Sequence, residues 1–300
     1  MIRTAAFDWS QQVGLRETFY TEQTNPAQQG PLNRFLVDYS SRFVGPTLER
    51  SFGTWRHVVE PSIEYRYVDG VDRFRDTVVT DDVDMLSNTN EVEYGITNRI
   101  FTTREIFSWR IAQERFFDPT FGGAVRTGTR NAFAPLLDLT GFAFADGPRR
   151  LSPIVSNMRV STSPSTSTDV QIDYDSERHR FEGAGINGGL NHGQTSGSVS
   201  YFFRRGTSIQ FPSNQLSGRL AYGNTLKLGM SFAVSAAYDV QRSLFQGSVA
   251  QLGYNWGCYG VSLEWTQFNV GVRKESRIQF AFSLKNIGAF GNIRRQDRIF

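Results

Sequence analysis

The chain has 300 residues with 32 basic and 29 acidic side chains, and its net charge of +3 excludes the strongly basic surface that a nucleic-acid binder needs. One cysteine excludes an internal disulfide or a cysteine metal cluster, and no run approaches the roughly 20 apolar residues of a membrane helix. Aromatics reach 14% and glycines number 28 while hydrophobic residues stay at 39%, a mixture that suits half-apolar strands better than a dense interior.

The start, MIRTAAFDW, is too short and too mixed to supply the basic end and apolar stretch of a secretory leader. The chain is therefore read as lacking its signal peptide, or as the C-terminal portion of something longer. Alternation of period two is weak near 11–20 and 33–43, then clear from residue 57: Val59, Ile63, Tyr65 and Tyr67 oppose Glu60, Ser62, Glu64 and Arg66. Pro61 conflicts with a central strand there, because proline has no ladder donor, and is read as marking a bulge or a weakened seam. VDG at 68–70 reads as a turn. The connection DTVVTDDVDMLSNTNEVE carries Asp76, Asp81, Asp82, Asp84, Glu91 and Glu93; its spacing matches no calcium loop, so a solvated acidic loop is expected.

Val92, Tyr94 and Ile96 face away from Glu91, Glu93, Gly95 and Thr97, and Phe107, Trp109 and Ile111 oppose Ser108, Arg110 and Glu114. From Arg115 to Arg150 no clear alternation is visible. Weaker strands are expected near 152–162, 168–176, 181–190, 196–204, 215–222 and 242–253, with turns at 161–168, at NGG 187–189 and at YGN 222–224. The clearest strand is LKLGMSFAVSAAYD, where Leu226, Leu228, Met230, Phe232, Val234, Ala236 and Tyr238 alternate with small or polar residues. In YNWGCYGVSLEWTQF a turn leads into Tyr259, Val261, Leu263 and Trp265 on one face, with Cys258 sharing parity with Gly260, Ser262 and Glu264 on the other. Near the end, Ile278, Phe280, Phe282 and Leu284 oppose Arg277, Gln279, Ser283 and Lys285.

At about 9–11 residues per tilted strand this makes about 14 antiparallel strands, an all-β chain without a domain boundary. Alternation by itself fits a β-sandwich as well as a membrane barrel. Two features favour the barrel. Tyr65, Tyr67, Trp109, Tyr238, Tyr254 and Trp265 stand near strand ends, where an aromatic girdle would sit, and mid-strand charges suit a watered lumen. The mean hydropathy of −0.37 does not oppose this, since a barrel shows lipid only every second residue. The lumen-facing candidates are Glu60, Glu64, Arg66, Glu93, Arg110 and Glu264, with mutual ion pairing as their alternative role. His57, His179 and His192 are scattered, no serine sits in a nucleophile elbow, and neither catalysis, cofactor nor metal is expected.

RHVVEPSIEYRYV at 56–68, TNEVEYGITNRIF at 89–101, SWRIAQERFFDPTFGG at 108–123, YNWGCYGVSLEW at 254–265 and FAFSLKNIGAFG at 280–291, taken in this order, resemble the LptD (organic solvent tolerance protein) family. The resemblance implies residues 1–300 as the C-terminal part of a larger outer-membrane β-barrel, without its N-terminal periplasmic jellyroll. It implies assembly of lipopolysaccharide at the outer leaflet of a Gram-negative outer membrane, through the lumen and a lateral seam between first and last strands. The implied partners are lipopolysaccharide, an LptE-like plug lipoprotein, the periplasmic Lpt bridge and the barrel-assembly machinery. A general porin is the alternative that the pattern leaves open.

The resemblance further implies that Cys258, at the periplasmic end of its strand, pairs with a cysteine outside this chain; Tyr259 stands where the family often has a second one. The other reading of Cys258 is a small buried thiol that serves packing. Phe280, Phe282 and Leu284 are candidates for the last-strand assembly signal and one side of the seam, with AFGNIRRQDRIF as a tail; an ordinary lipid-facing strand is the alternative.

Overall fold

The computed structural model describes residues 2–3, 7–23, 30–70, 88–117, 149–206, 212–224, 227–270, 273–284 and 288–291. Every regular element among them is a strand, and no helix is long and apolar enough to cross a membrane, which says nothing of strands. In chain order they are β1 (Ile2–Arg3), β2 (Asp8–Tyr20), β3 (Leu32–Val44), β4 (Leu48–Phe52), β5 (Trp55–Asp69), β6 (Thr89–Phe101), β7 (Glu105–Phe116), β8 (Ile154–Ser163), β9 (Thr166–Asp175), β10 (Arg180–His192), β11 (Thr195–Arg204), β12 (Ser213–Tyr222), β13 (Gly229–Asp239), β14 (Leu244–Asn255), β15 (Tyr259–Val270), β16 (Arg273–Leu284) and β17 (Gly288–Gly291). Fourteen of these run ten residues or more, and only β1, β4 and β17 are shorter.

The chain divides into two compact units. One comprises Met1–Arg159, Gln171–Ala184 and Arg205–Pro212, and the other Val160–Val170, Gly185–Arg204 and Ser213–Phe300. In the first, β1 pairs with β2, β2 with β3, and β3 and β4 share one edge of β5, which continues antiparallel to β6 and β7. In the second, β11 to β17 form an uninterrupted antiparallel meander. Along the chain, the connections at 53–54, 102–104, 164–165, 193–194, 223–228 and 256–258 hold two to six residues, whereas the intervening set is long at 21–31, 70–88 and 117–153 and short again at 176–179, 240–243 and 271–272.

Pro61 finds its place through an interruption on the neighbouring strand. Val44 lies opposite Ser62 and Leu48 opposite Val59, so the segment 45–47 carries one residue more than β5 does, a bulge. The Gly45 N–H donates to the Pro61 carbonyl at 2.8 Å. N and C=O of one strand residue point to the same edge, so the donor that Pro61 lacks would have faced the bulge, not β6.

Of the four expected turns, the one at 161–168 falls at 164–165, between β8 and β9. VDG ends β5, with Gly70 at φ 98, and YGN 222–224 leaves β12 as expected. NGG 187–189 is a correction: it lies inside β10, and the turn comes at 193–194, with Gly193 at φ 60. A second glycine beside Asn is a turn signal only where the backbone needs positive φ, and at 187–189 none is seen. At Gly70 a Cβ would collide with the Phe35 carbonyl oxygen, on top of the strained φ. Gly70→Ala is expected to destabilise by about 1–3 kcal/mol, read by urea unfolding in lipid vesicles; an unchanged midpoint would show that the turn relaxes freely.

Candidate functional site

Register decides which side chains share a wall. In the first unit Asp38, Ser40 and Arg42 of β3 stand opposite Val68, Arg66 and Glu64 of β5; Glu64 stands opposite Glu93 and Glu60 opposite Thr97 of β6; and Glu93 and Thr97 stand opposite Glu114 and Arg110 of β7. Glu60, Glu64, Arg66, Glu93 and Arg110 therefore lie on one face, as the alternation predicts. They are joined by ion pairs: Arg42 to Glu64 at 3.7 Å, Arg66 to Asp38 at 3.9 Å, Arg99 to Glu60 at 2.9 Å, and Arg110 to Glu93 in direct contact. The expected pairing thus exists, but mostly with partners the sequence did not single out. Asp38 and Arg42 lie in a strand whose alternation is weak, and the signal that finds them is parity counted from β5 through the register.

The opposite face of the same strands is apolar and open. Val13, Leu15, Phe19, Phe35, Ile63, Tyr94 and Ile96 are all exposed, Leu15 by 69%. Exposed Trp9 and Trp109 each direct their indole N–H to a serine, Ser41 Oγ at 3.1 Å and Ser156 Oγ at 2.9 Å, so their polar handle is satisfied while the ring stays outside.

The second unit repeats the inversion more cleanly. In β13, Ser231, Ala233, Ser235 and Asp239 are buried, whereas Met230, Val234 and Tyr238 are exposed. Ala233 stands opposite Gln251, and Gln251 opposite Glu264, both polar and buried. Glu264 accepts from Thr266 Oγ1 at 3.2 Å. The face that water-soluble proteins hide is here the polar one. Soluble monomers rarely expose a contiguous apolar patch beyond a few hundred Å², and these strands expose one on every second residue.

Tyr238 and Tyr254 stand at strand ends as expected, and Tyr67 lies two residues from the end of β5. Trp109 and Trp265 are a correction: they fall mid-strand, because β7 begins at Glu105 and β15 runs on to Val270, beyond the visible alternation. Trp265 is held like the other indoles, donating to Ser276 Oγ at 3.1 Å. A cluster does form at the rim of β14 and β15, where Trp256 sits 4.4 Å from Tyr254 and stacks on Tyr259 at 5.0 Å.

Cys258 is a free, exposed thiol in that same turn, which removes the reading of a small buried packing residue. Phe280, Phe282 and Leu284 share the face of Leu263, Val261 and Tyr259, and Phe280 is exposed. β16 is not the final strand: β17 pairs back on Ala281–Leu284, so the edge expected to border a seam is covered over those four residues. A hairpin at the end of a chain escapes notice when its return strand is only GAFG. Of the acidic connection, Asp76, Asp81, Asp82 and Asp84 lie outside the described residues, whereas Glu91 and Glu93 belong to β6. His57 lies on β5, His179 in the turn before β10 and His192 at the end of β10; no metal-holding group of His, Cys, Asp or Glu forms among the described residues.

The family described as LptD, LPS transport system D, matches residues 1–227. The chain belongs to the LptD family. LptD is a transport family of the outer membrane, so this is a lipopolysaccharide-transport protein with an all-β outer-membrane barrel fold rather than a member of a catalytic family. The first three resembling segments fall within the match; those at 254–265 and 280–291, with Cys258 and Phe280, lie beyond it. Among solved structures, the chain is similar to a variant of Rh. blastica porin, 11% identical over 93% of this chain and 90% of that one, with a TM-score of 0.36. It is similar also to Acinetobacter baumannii OccAB4, 9% identical over 95% of each chain, with a TM-score of 0.30. At such scores neither likeness bears on function. Comparison with curated proteins returned no match.

Proposed function

We propose that this LptD-family chain is the C-terminal part of a larger barrel whose polar, ion-paired face lines a lumen for lipopolysaccharide. The observation that supports it is the two-faced wall in the strands of each unit: charged and hydroxyl side chains gather on one face, and the large exposed apolar side chains on the other. Such a wall offers the sugars and phosphates hydrogen bonds and charges in place of water, while the acyl chains have the apolar face and a lateral seam to leave by. Phe280, Phe282 and Leu284 are assigned to the assembly signal read by the barrel-assembly machinery, and the seam to the part of this last hairpin outside the four residues that β17 covers. The short turns at 53–54 and 102–104, set against the long connections 21–31, 70–88 and 117–153, are assigned to the periplasmic end, since outer-membrane barrels keep short turns there, and the resemblance of YNWGCYGVSLEW to the family assigns 256–258 to the same end. Cys258 then meets the periplasm, available to a cysteine of the jellyroll that receives lipopolysaccharide from the bridge, and an LptE-like lipoprotein plugs the lumen.

The test places a photo-reactive side chain at Glu64 or Glu93 and, for comparison, at Ile63, in cells making lipopolysaccharide. Adducts carrying lipopolysaccharide are expected at least fivefold above background at the first two. Equal labelling at Ile63, or ion conductance by the chain without adducts, would favour a general channel. For the thiol, non-reducing electrophoresis of the full-length protein is expected to shift on Cys258→Ser; unchanged mobility would sink the crosslink.

A further inference from the structure

The hairpin of β4 and β5 is open on both faces. Residues 46–56 are all exposed, with Leu48 at 60%, Phe52 at 52% and Trp55 at 55%. On one side β4 pairs with β5 from Leu48 opposite Val59 to Phe52 opposite Trp55. The registers pair β4 with no other strand among the described residues: β3 and β4 both lie on β5, and the β2–β3 ladder stops at Asp8 opposite Val44, before the bulge. Phe52 and Trp55 flank a two-residue turn and so exchange both ladder bonds, which turns Arg50 and Leu48 toward β5 as well. The N–H and C=O groups of Glu49 and Ser51 therefore point to the open edge.

An edge of this kind accepts an extended strand, and its side chains specify which one. Leu48, Arg50 and Phe52 share one face, with the Arg50 guanidinium 4.9 Å from the Phe52 ring; Glu49 lies on the other, 3.3 Å from Arg56. A second copy is a poor occupant. Antiparallel self-pairing that joins Glu49 to Ser51 of another copy puts Arg50 directly against Arg50, like charges at the closest cross-strand spacing.

We propose that the β4 edge is a docking strand for an extended segment of a different polypeptide, added by β-augmentation. That segment carries an acidic residue opposite Arg50, apolar residues opposite Leu48 and Phe52, and a basic or neutral residue opposite Glu49. The pairing follows from this geometry; only the partner's compartment, the periplasm, rests on the orientation proposed above.

The probe is the peptide acetyl-Val-Thr-Glu-Lys-Val-amide, added at millimolar concentration to the protein in detergent micelles, with amide hydrogen exchange as readout. Exchange at Glu49 and Ser51 is expected to slow at least tenfold, and a peptide with Lys in place of its Glu to bind at least threefold more weakly. Ser51→Pro removes an edge donor that β5 does not use, so it is expected to abolish the protection while β5 and β6 amides stay protected. Three outcomes would overturn the proposal: no slowing at either amide, both amides already protected without peptide, or dimers crosslinked through Ser51→Cys in a Cys258→Ser background.

Discussion

Val234→Arg is expected to cost about 2–4 kcal/mol of folding stability in lipid vesicles, whereas Leu228→Arg costs about 0–1 kcal/mol. Both side chains are exposed, Val234 by 46% and Leu228 by 77%, so in a water-soluble sheet both changes would be near neutral, within about 0.5 kcal/mol. Surface arginines are ordinary there. In a barrel the outcome depends on depth. Val234 is the middle residue of β13, six positions along the chain from Leu228, which precedes the strand at the turn. A guanidinium at mid-strand must shed its water or drag it into hydrocarbon; one at the rim reaches the headgroups by extending its stem. Reversible urea unfolding of the two variants in vesicles of one lipid composition measures the difference. Equal costs would contradict the lipid-facing assignment of the Met230, Val234 and Tyr238 face.

Asp175→Ala is expected to destabilise by about 3–5 kcal/mol, the scale for breaking a buried ion pair by removing one partner. The Asp175 side chain is fully buried and its Oδ1 accepts from Arg149 Nη2 at 2.7 Å and from the backbone N–H groups of Glu177 at 3.0 Å and Arg178 at 3.1 Å. Alanine leaves two turn donors bare and a guanidinium only 12% exposed with one remaining close carboxylate, Glu177 at 3.4 Å. Asp175→Asn keeps an acceptor for the turn and loses the charge, so it is expected to cost less than half as much. The same anchor fixes the chain where it returns after residue 148. Ser152 Oγ accepts from the Glu114 N–H at 2.8 Å, and Gln113 Nε2 donates to the Ser152 carbonyl at 3.0 Å and to Ser176 Oγ at 3.1 Å. Limited proteolysis of Asp175→Ala is therefore expected to cut near 149–153 before it cuts elsewhere; an unchanged cleavage pattern would separate the turn from this anchor.

Much of the fold was visible as alternation, and the reason is particular to each strand. The faces of β13 could be read because every second residue is apolar from Leu228 to Tyr238, so parity alone assigns them, although the strand begins only at Gly229 and Leu228 belongs to the turn before it. β5 was readable despite Pro61, because the proline sits on the edge where the neighbouring strand bulges. β10 misled: Asn187, Gly188 and Gly189 have turn composition, yet a strand facing open space tolerates small residues. Glu93 and Arg110 were placed on one face correctly, although each was chosen separately and only the register shows them as partners.

Alternation at period two, the aromatic content and the order of the family-like segments were enough to determine an antiparallel membrane-barrel chain of the LptD family, with five acidic and basic side chains on one face of β5 to β7. Those are properties of single strands, and the pleat fixes them wherever the strand is placed. Pairing across strands, by contrast, depends on which residue of one strand meets which residue of the next, a quantity no single strand contains. Hence only the tertiary structure decided that Glu64 pairs with Arg42, that Glu264 is buried beside Gln251, that β17 covers the end of β16, and that the edge of β4 stays open.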